Sequence, residues 1–417
     1  MAARPENRNT CTVFAPEPFR DFACARCGDC CSHPPGLEIP ASKVGRLARA
    51  LRDSGFRYPV RDALMRDETD PGAPATVARV GDRCVFLLDD GRCYLVSIGV
   101  PELRPLWCIG HPVRPLVTPG GITYAVSFAC PQTVRMLRSR DPINIVAATV
   151  SGDPPPDAGR RFGADHRIPT RLGRPKLDWP AFRLLQGMLL AIARDWDTSL
   201  TDRLVLMPIM LAHLLDGYEG GGSDDRIRRR VSGIGRELPG LLARARAAEG
   251  DPGAHYEAMM GIFGRRIGLR TRSGVRRVAQ EALRELRDRR KSSSTSELAD
   301  EVRRLYAELY RPRAGRIEHI LGNYVICHLF ASREMLAGGV YKGVCVVHYL
   351  VALIRFLATT TAARQGTAVT ADILAESIRT VERLFSRSRT AFEFLDDRAE
   401  QDRLPDPAYA ATLVKIC

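Results

Sequence analysis

Apolar residues recur at three- and four-residue spacing through most of the chain beyond residue 178. That spacing places apolar side chains along one face of a helix, so it predicts helices that bury this face. The predicted helical segments cover residues 178–195, 198–218, 296–310, 316–336, 343–366 and 370–397. The sequence therefore predicts a mainly helical domain over residues 178–417.

The first 150 residues carry shorter, mixed patterns. "SKVGRLARALRDSG" (42–55) has helical spacing, with Ser42 as a candidate N-cap and a closing glycine. "RCVFLLDDGRCYLV" (83–96) predicts two short strands around an Asp-Asp-Gly turn. A third strand is predicted over residues 121–130, followed by a helix with Pro131 in its first turn.

Between the two parts, "SGDPPPDAGRRFGADHRIPTRLGRP" (151–175) has no apolar periodicity and is rich in proline, glycine and charge. Such a composition indicates a linker or an exposed loop. We expect an α+β protein with an irregular cysteine-rich metal-cluster domain and short hairpin strands over residues 1–150. A linker over 151–177 then leads into the helical domain over 178–417.

The longest apolar stretches, 204–215 and 344–358, are shorter than the roughly 20 residues that cross a bilayer, and Arg355 interrupts the second. Both are interpreted as core helices. The sequence "MAARPENRNTCTVFAPEPF" lacks the basic segment and apolar run of a secretory signal. We therefore expect a cytoplasmic protein with no membrane partner. Thiols stay reduced in that compartment, so clustered cysteines favour metal binding over disulfides.

The formal net charge of the chain is +14, and residues 226–291 hold 18 Lys or Arg against 7 Asp or Glu. A basic stretch attracts acidic partners, but it also suits the solvated faces of helices. Nucleic acid is not favoured as a partner, because the stretch lacks interleaved aromatic residues and any known binding motif.

Nine of the twelve cysteines precede residue 131, and eight of these form a set. Its members are Cys24, Cys27, Cys30, Cys31, Cys84, Cys93, Cys108 and Cys130. Clustered thiolates suit zinc or an iron–sulfur cluster, and two-residue gaps let one turn aim two sulfurs at one metal. Adjacent Cys30 and Cys31 are expected to serve different sites, because neighbouring side chains point apart.

Other interpretations of these thiols stay open. A buried free cysteine behaves as a small hydrophobe, and spacing does not separate zinc from iron–sulfur. The CxxxCxxC motif of radical S-adenosylmethionine enzymes is absent from the sequence. The remaining cysteines, Cys11, Cys327, Cys345 and Cys417, are expected to be structural or surface thiols.

Three segments, "FACARCGDCC", "CVFLLDDGRCYLVSIGVPELRPLWCIGHP" and "SFACPQTVRML", resemble the cysteine framework of the flagellin lysine N-methylase family. That family is related to small zinc- or iron-chelating cysteine-cluster proteins. All eight cysteines match the framework in order. The resemblance continues weakly into the helical half, where "TDRLVLMPIMLAHLLDG" and "GNYVICHLF" are similar to two helices of the family.

This resemblance implies a methyltransferase that uses S-adenosylmethionine and an iron–sulfur cluster of the 4Fe-4S type, in one or two copies, to methylate a lysine. The acceptor would be a lysine-bearing protein, a peptide or a small-molecule amine. Three departures from the family bear on the substrate. The family's Trp soon after the Cys pair is missing, Val113 separates Pro112 from Arg114, and Gln132 stands where the family has Glu.

Methyl transfer to lysine requires the neutral amine, delivered by burial or by a nearby base. His111 and Glu102 are candidates for that base, and His33 for a base or ligand, although each also suits an ordinary loop position. Asn323 and Tyr324 match a residue pair of the family and are candidates for binding the cofactor. Polar residues on apolar helices are, however, often satisfied core residues.

Two other functions fit the same residues. One is a non-catalytic zinc- or iron-binding protein whose helical half binds a partner, and the other is an iron–sulfur enzyme that uses S-adenosylmethionine for different biosynthetic chemistry. Binding of S-adenosylmethionine separates the enzymes from the carrier. The glycine-rich segment 214–224 is not interpreted as a nucleotide-binding loop, because it follows an apolar helix rather than a strand.

Overall fold

The structure, a computed structural model, describes most of the chain. It covers residues 10–32, 37–67, 69–70, 72–151, 161–163, 165–171, 176–216, 218, 224–255, 257–259, 295–331, 333–385, 395 and 398–415. Some features singled out from the sequence lie outside these ranges: His33, Cys417, residues 152–160 and 172–175 of the predicted linker, 260–294 of the basic stretch and 386–394 of the last predicted helix.

The described strands lie almost entirely in the first 151 residues. In chain order they are β1 Thr10–Pro16, β2 Glu38–Ile39, β3 Leu64–Met65, β4 Ala75–Val77, β5 Arg79–Val80, β6 Arg83–Cys84, β7 Val113–Thr118, β8 Gly121–Val126, β9 Ile145–Ser151, β10 Ile168–Pro169 and β11 Lys176–Leu177. The last two form an antiparallel pair inside the predicted linker.

The described helices dominate the remainder. They are α1 Asp29–Ser32, α2 Ala41–Asp53, α3 Val60–Ala63, α4 Tyr94–Ser97, α5 Leu106–Gly110, α6 Pro131–Met136, α7 Trp179–Arg194, α8 Leu200–Leu215, α9 Asp224–Gly233, α10 Leu238–Ala247, α11 Thr295–Leu305, α12 Ala314–Phe330, α13 Arg333–Gly338, α14 Val340–Gln365, α15 Ala371–Phe385, α16 Arg398–Arg403 and α17 Pro407–Val414. The α+β class with a mainly helical C-terminal region is confirmed.

A four-stranded sheet in the order β7-β8-β1-β9 organises the N-terminal half. Strand β1 pairs antiparallel with β9 and parallel with β8. Strands β7 and β8 form a hairpin in which Val113 pairs with Val126. This pairing brings the chain before β7 and the chain after β8 to one end of the sheet. Cys108 and Cys130 lie on those two segments.

A second, smaller core lies beside this sheet. Its buried members include Leu47 and Leu51 of α2 together with Phe86 and Leu95. Helix α2 was predicted, but its N-cap position is Pro40, without a side-chain cap, rather than Ser42. The periodicity was sufficient to identify the helix because its apolar face is the one that this core buries.

The predicted hairpin over residues 83–96 is wrong in part. Leu87 bridges Cys93 around the turn, but Arg83–Cys84 pairs with β5 and Tyr94–Ser97 is a helical turn. A run of Tyr, Leu and Val favours a strand by propensity. Here the tertiary packing decides, because the turn places Leu95 in the small core.

Helix α14 is the central helix of the C-terminal half and is longer than the apolar stretch suggested. Its 26 residues are long and apolar enough to cross a membrane, and its most apolar window is completely buried within the protein. Arg355 is accommodated inside it because its guanidinium binds Glu318 at 2.5 Å and the carbonyl of Val414 at 2.9 Å. Gly366 ends the helix in the left-handed conformation.

Candidate functional site

All eight cysteines of the set predicted from the sequence line one cavity of about 680 Å³. The described residues that line this cavity all lie between Phe22 and Gln132. Segments that are far apart in the sequence therefore converge on one place. We call this space the cysteine cavity.

We call residues 24–31, the first cysteine segment that lines the cavity, the opening loop. Two of its residues have a left-handed backbone conformation, which determines its shape. Arg26 has φ 53° and Gly28 has φ 70°, and the Arg26 amide donates to the Cys24 sulfur at 3.4 Å. Helix α1 follows and brings the Cys30 and Cys31 sulfurs within 3.9 Å of each other. The hydrogen bond with Cys31, and then burial, raise the pKa of Cys30 far above its usual range. Both thiols line the cavity, and their assignment to different sites stays a prediction.

The turn of the 83–96 segment packs backbone to backbone against this loop. Gly91 has φ 81°, and a Cβ atom built on it would lie 2.9 Å from the Arg26 carbonyl oxygen. A Cβ on Gly28 would lie 3.2 Å from the Gly91 Cα. Only glycine fits this approach, which places Cys84 and Cys93 beside the opening loop.

The thiols of Cys84, Cys93, Cys108 and Cys130 share one electrostatic environment. Burial raises the pKa of Cys84 to about 11 and that of Cys108 to about 12, and it also raises the pKa values of Cys93 and Cys130. The charge of Cys30 adds to the increase in all four cases, as expected for thiols that surround one space. All four are therefore protonated at neutral pH unless a metal displaces the proton.

The donor chemistry of the cysteine cavity fits a thiolate-bound metal cluster. Among the described residues, no three His, Cys, Asp or Glu side chains are grouped closely enough to hold one metal ion. The thiolates of an iron–sulfur cluster bind different iron atoms, so they stand further apart than the ligands of a single ion. Eight thiols around one cavity are enough donors for a thiolate-bound cluster.

The charged side chains among the described lining residues are all cationic. They are Arg26, Arg92 and Arg104, and the lining includes no Asp or Glu. Arg92 pairs outside the cavity with Asp90 at 2.6 Å. Arg104 donates to the Pro101 carbonyl at 2.9 Å. These arginines favour anionic groups in the cavity and disfavour a further positive charge, such as a protonated amine.

Of the two candidate bases, only His111 lines the cavity. Its ring stacks on Trp107 at 4.2 Å between centroids. Glu102 does not line it, and its carboxylate pairs with Arg46 at 3.1 Å on the exposed surface. Trp107 and Arg104 are lining residues that the sequence analysis missed, and their position between Cys93 and Cys108 was the available signal.

The family model described as FliB lysine N-methylase C-terminal domain matches residues 186–413, more than half of the 417 residues. The chain belongs to the FliB lysine N-methylase family. Membership confirms the predicted family and identifies the protein as a methyltransferase that modifies lysine nitrogen. No curated protein and no solved structure matches the chain.

The FliB match and the cysteine cavity lie in different halves of the chain. The match begins at residue 186, whereas the lining residues end at Gln132. The match identifies the helical half as the family's C-terminal domain. The cavity is thus built next to this domain rather than inside it.

The two residues predicted to bind cofactor, Asn323 and Tyr324, lie in the matched domain and do not line the cysteine cavity. Asn323 is fully buried, accepts a hydrogen bond from the Ile143 amide at 2.9 Å and donates to the Leu137 carbonyl at 3.1 Å. The Tyr324 hydroxyl donates to Glu382 at 2.7 Å. Asn323 joins the two halves through these hydrogen bonds, and Tyr324 does so through its ring, which packs on Phe128 at 5.2 Å between centroids. Cofactor binding by either residue stays a prediction.

Proposed function

We propose that this FliB family member transfers a methyl group from S-adenosylmethionine to lysine side chains of a protein, flagellin first among them, in the cytoplasm. The cysteine cavity would be its active site and would hold an iron–sulfur cluster of the 4Fe-4S type. The observation that carries the proposal is that a chain with the FliB C-terminal domain also gathers eight thiols around one cavity.

The eight cysteines that line the cavity would supply the ligands of the cluster. A bound cluster would supply an iron with an open coordination position that can hold the amine and carboxylate groups of S-adenosylmethionine. Eight thiolates suffice for two four-ligand clusters, or for one cluster with an open iron and a structural metal.

The lining supports the chemistry that lysine methylation needs. The lysine nitrogen must lose its proton before its lone pair can displace the sulfonium sulfur from the methyl carbon. The apolar part of the lining favours the neutral amine over the ammonium, and Arg26, Arg92 and Arg104 would offset part of the negative charge of thiolate ligands, with no carboxylate among the described lining residues to add to it. His111, which also lines the cavity, would accept that proton.

The mouth of the cavity supports a protein substrate. Val96 and Ile109 line the cavity and remain 46% and 41% exposed. A substrate segment that enters the cavity would bury this apolar surface, which favours binding.

The test is methyl transfer by protein purified without oxygen. We expect a brown protein that contains iron and, with S-adenosylmethionine, adds methyl mass to lysines of flagellin, as detected by mass spectrometry of its peptides. The same protein stripped of iron should lose the activity.

Two results would contradict the proposal at different points. Full methylation by iron-free protein would remove the cluster from the mechanism. Methyl mass on no lysine of any protein offered, by iron-loaded enzyme, would remove the proposed reaction.

A further inference from the structure

The described residues of the matched FliB domain do not line the cavity, yet one helix of the domain contacts two of the cysteine segments. We infer that helix α15 is the element through which the FliB domain positions the cysteine cavity, with Arg379 and Arg383 holding Asp29 and Glu382 holding the backbone at Phe128. This inference rests on the proposed function, because it treats the cysteine cavity as the active site.

The first contact is between α15 and the opening loop. Asp29 lies between Cys27 and Cys30, and its carboxylate binds Arg379 at 2.9 Å and also Arg383. The side chains of Arg383, Arg379 and Asp29 are 8%, 16% and 22% exposed. Ion pairs with so little solvent are not screened as surface pairs are, and removing one partner leaves an uncompensated charge.

The second contact holds the segment that ends in Cys130. The Glu382 carboxylate accepts a hydrogen bond from the Phe128 amide at 3.4 Å, two residues before that cysteine. The same carboxylate accepts the Tyr324 hydroxyl at 2.7 Å and lies 3.0 Å from the His328 ring nitrogen. The Phe128 ring packs on both of these side chains.

Both contacts come from one face of one helix. Arg379, Glu382 and Arg383 are three and four residues apart, so they project from the same side of α15. A single rigid element therefore fixes the position of the Cys27–Cys31 loop relative to Cys130. These residues position the thiols, and none of them lines the cavity.

The variant Arg383→Gln removes the charge and keeps a hydrogen-bonding side chain. We expect about tenfold faster amide hydrogen exchange in Gly28–Ser32 of the full-length, iron-loaded protein, and unchanged exchange in α2 and α14. The kcat for lysine methylation should fall by about tenfold. The conservative Arg383→Lys should recover most of both losses, which a general loss of stability does not predict.

Asp372→Asn is the matched control. Asp372 lies on the same helix and pairs with Arg138 of the N-terminal half, but its side chain is 85% exposed and it contacts no cysteine segment. Exposed pairs contribute little, so exchange and kcat should stay at wild-type values.

Wild-type exchange in Gly28–Ser32 of Arg383→Gln would overturn the inference, and so would an equal effect of Asp372→Asn. If Arg383→Gln does not fold, Arg379→Gln decides, because Arg379 binds the same Asp29 carboxylate at 2.9 Å: faster exchange in Gly28–Ser32 supports the inference, and wild-type exchange there overturns it. If the wild-type protein methylates no lysine, the proposed function fails on that result alone. The exchange data then still judge the positioning role.

Discussion

At the scale of single residues, Gly91 packs closely against the backbone of Arg26. A Cβ at Gly91 would lie 2.9 Å from the Arg26 carbonyl, and φ there is 81°. We expect Gly91→Ala to lower the free energy of unfolding by about 1–3 kcal/mol, measured by urea denaturation.

The control for this substitution is Gly45→Ala. Gly45 lies inside α2, and a Cβ on it would meet no atom within 4 Å. We expect this variant to be more stable by about 1 kcal/mol, because alanine favours a helix over glycine. Equal effects of the two variants would contradict the close approach.

Asn323 gives a second prediction at this scale. Its amide is fully buried and binds the chain around Leu137 and Ile143. Asn323→Ala should therefore lower the free energy of unfolding by about 2–4 kcal/mol in urea titrations, since buried polar partners lose their bonds. Calorimetry of S-adenosylmethionine binding separates this structural role from the predicted role in cofactor binding: an affinity within about twofold of wild type indicates the structural role alone. A large loss of that affinity at unchanged stability would instead favour a cofactor-binding role.

At the scale of elements, the attachment of α17 involves a buried histidine. The neutral His255 ring donates from Nδ1 to the Thr412 carbonyl at 2.8 Å. Burial lowers the pKa of His255 to about 4 from its usual 6.5. The unfolded chain therefore binds a proton below pH 6.5 that the folded protein excludes until about pH 4.

The contribution of His255 to the free energy of unfolding is complete above pH 6.5. It decreases as the pH falls toward 4, by roughly 3 kcal/mol in total. Urea denaturation across this window should show a steeper loss for the wild-type protein than for His255→Gln, which does not titrate. Parallel curves would contradict the buried neutral histidine.

The pattern of apolar and polar residues correctly predicted those helices and strands that a short stretch of sequence is enough to identify. Strand β8 and helix α6 were expected, as were most helices of the C-terminal half. The four-stranded sheet was not, because β1, Thr10–Pro16, pairs with β8 and with β9, Ile145–Ser151, each more than a hundred residues away in the sequence. No local periodicity records such a partner.

The same limit applies to the site. The eight cysteines were identified because clustered cysteines at this spacing indicate metal binding. Arg104 and Trp107 were missed, and so was the ion pair between Arg379 and Asp29. These residue types are common throughout the chain, and only the tertiary fold brings these particular residues to the site.

At the scale of the whole molecule, the cysteine cavity and the matched domain lie in different halves of the chain. The N-terminal half supplies all the described residues that line the cysteine cavity, and the C-terminal half contains the match to the FliB C-terminal domain. Contacts from α12 and α15 join the two. The account therefore predicts that methyl transfer depends on thiols outside the matched domain.

The most direct test compares Cys84→Ser with Cys345→Ser in lysine methylation by iron-loaded protein. Cys84 lines the cavity, whereas Cys345 is equally hidden from solvent within α14 and does not line it. We predict that Cys84→Ser lowers the methylation rate by about a hundredfold or more, as the loss of a metal ligand does, and that Cys345→Ser leaves it within about twofold of wild type. Wild-type methylation by Cys84→Ser would contradict the claim that the cysteine cavity is the active site.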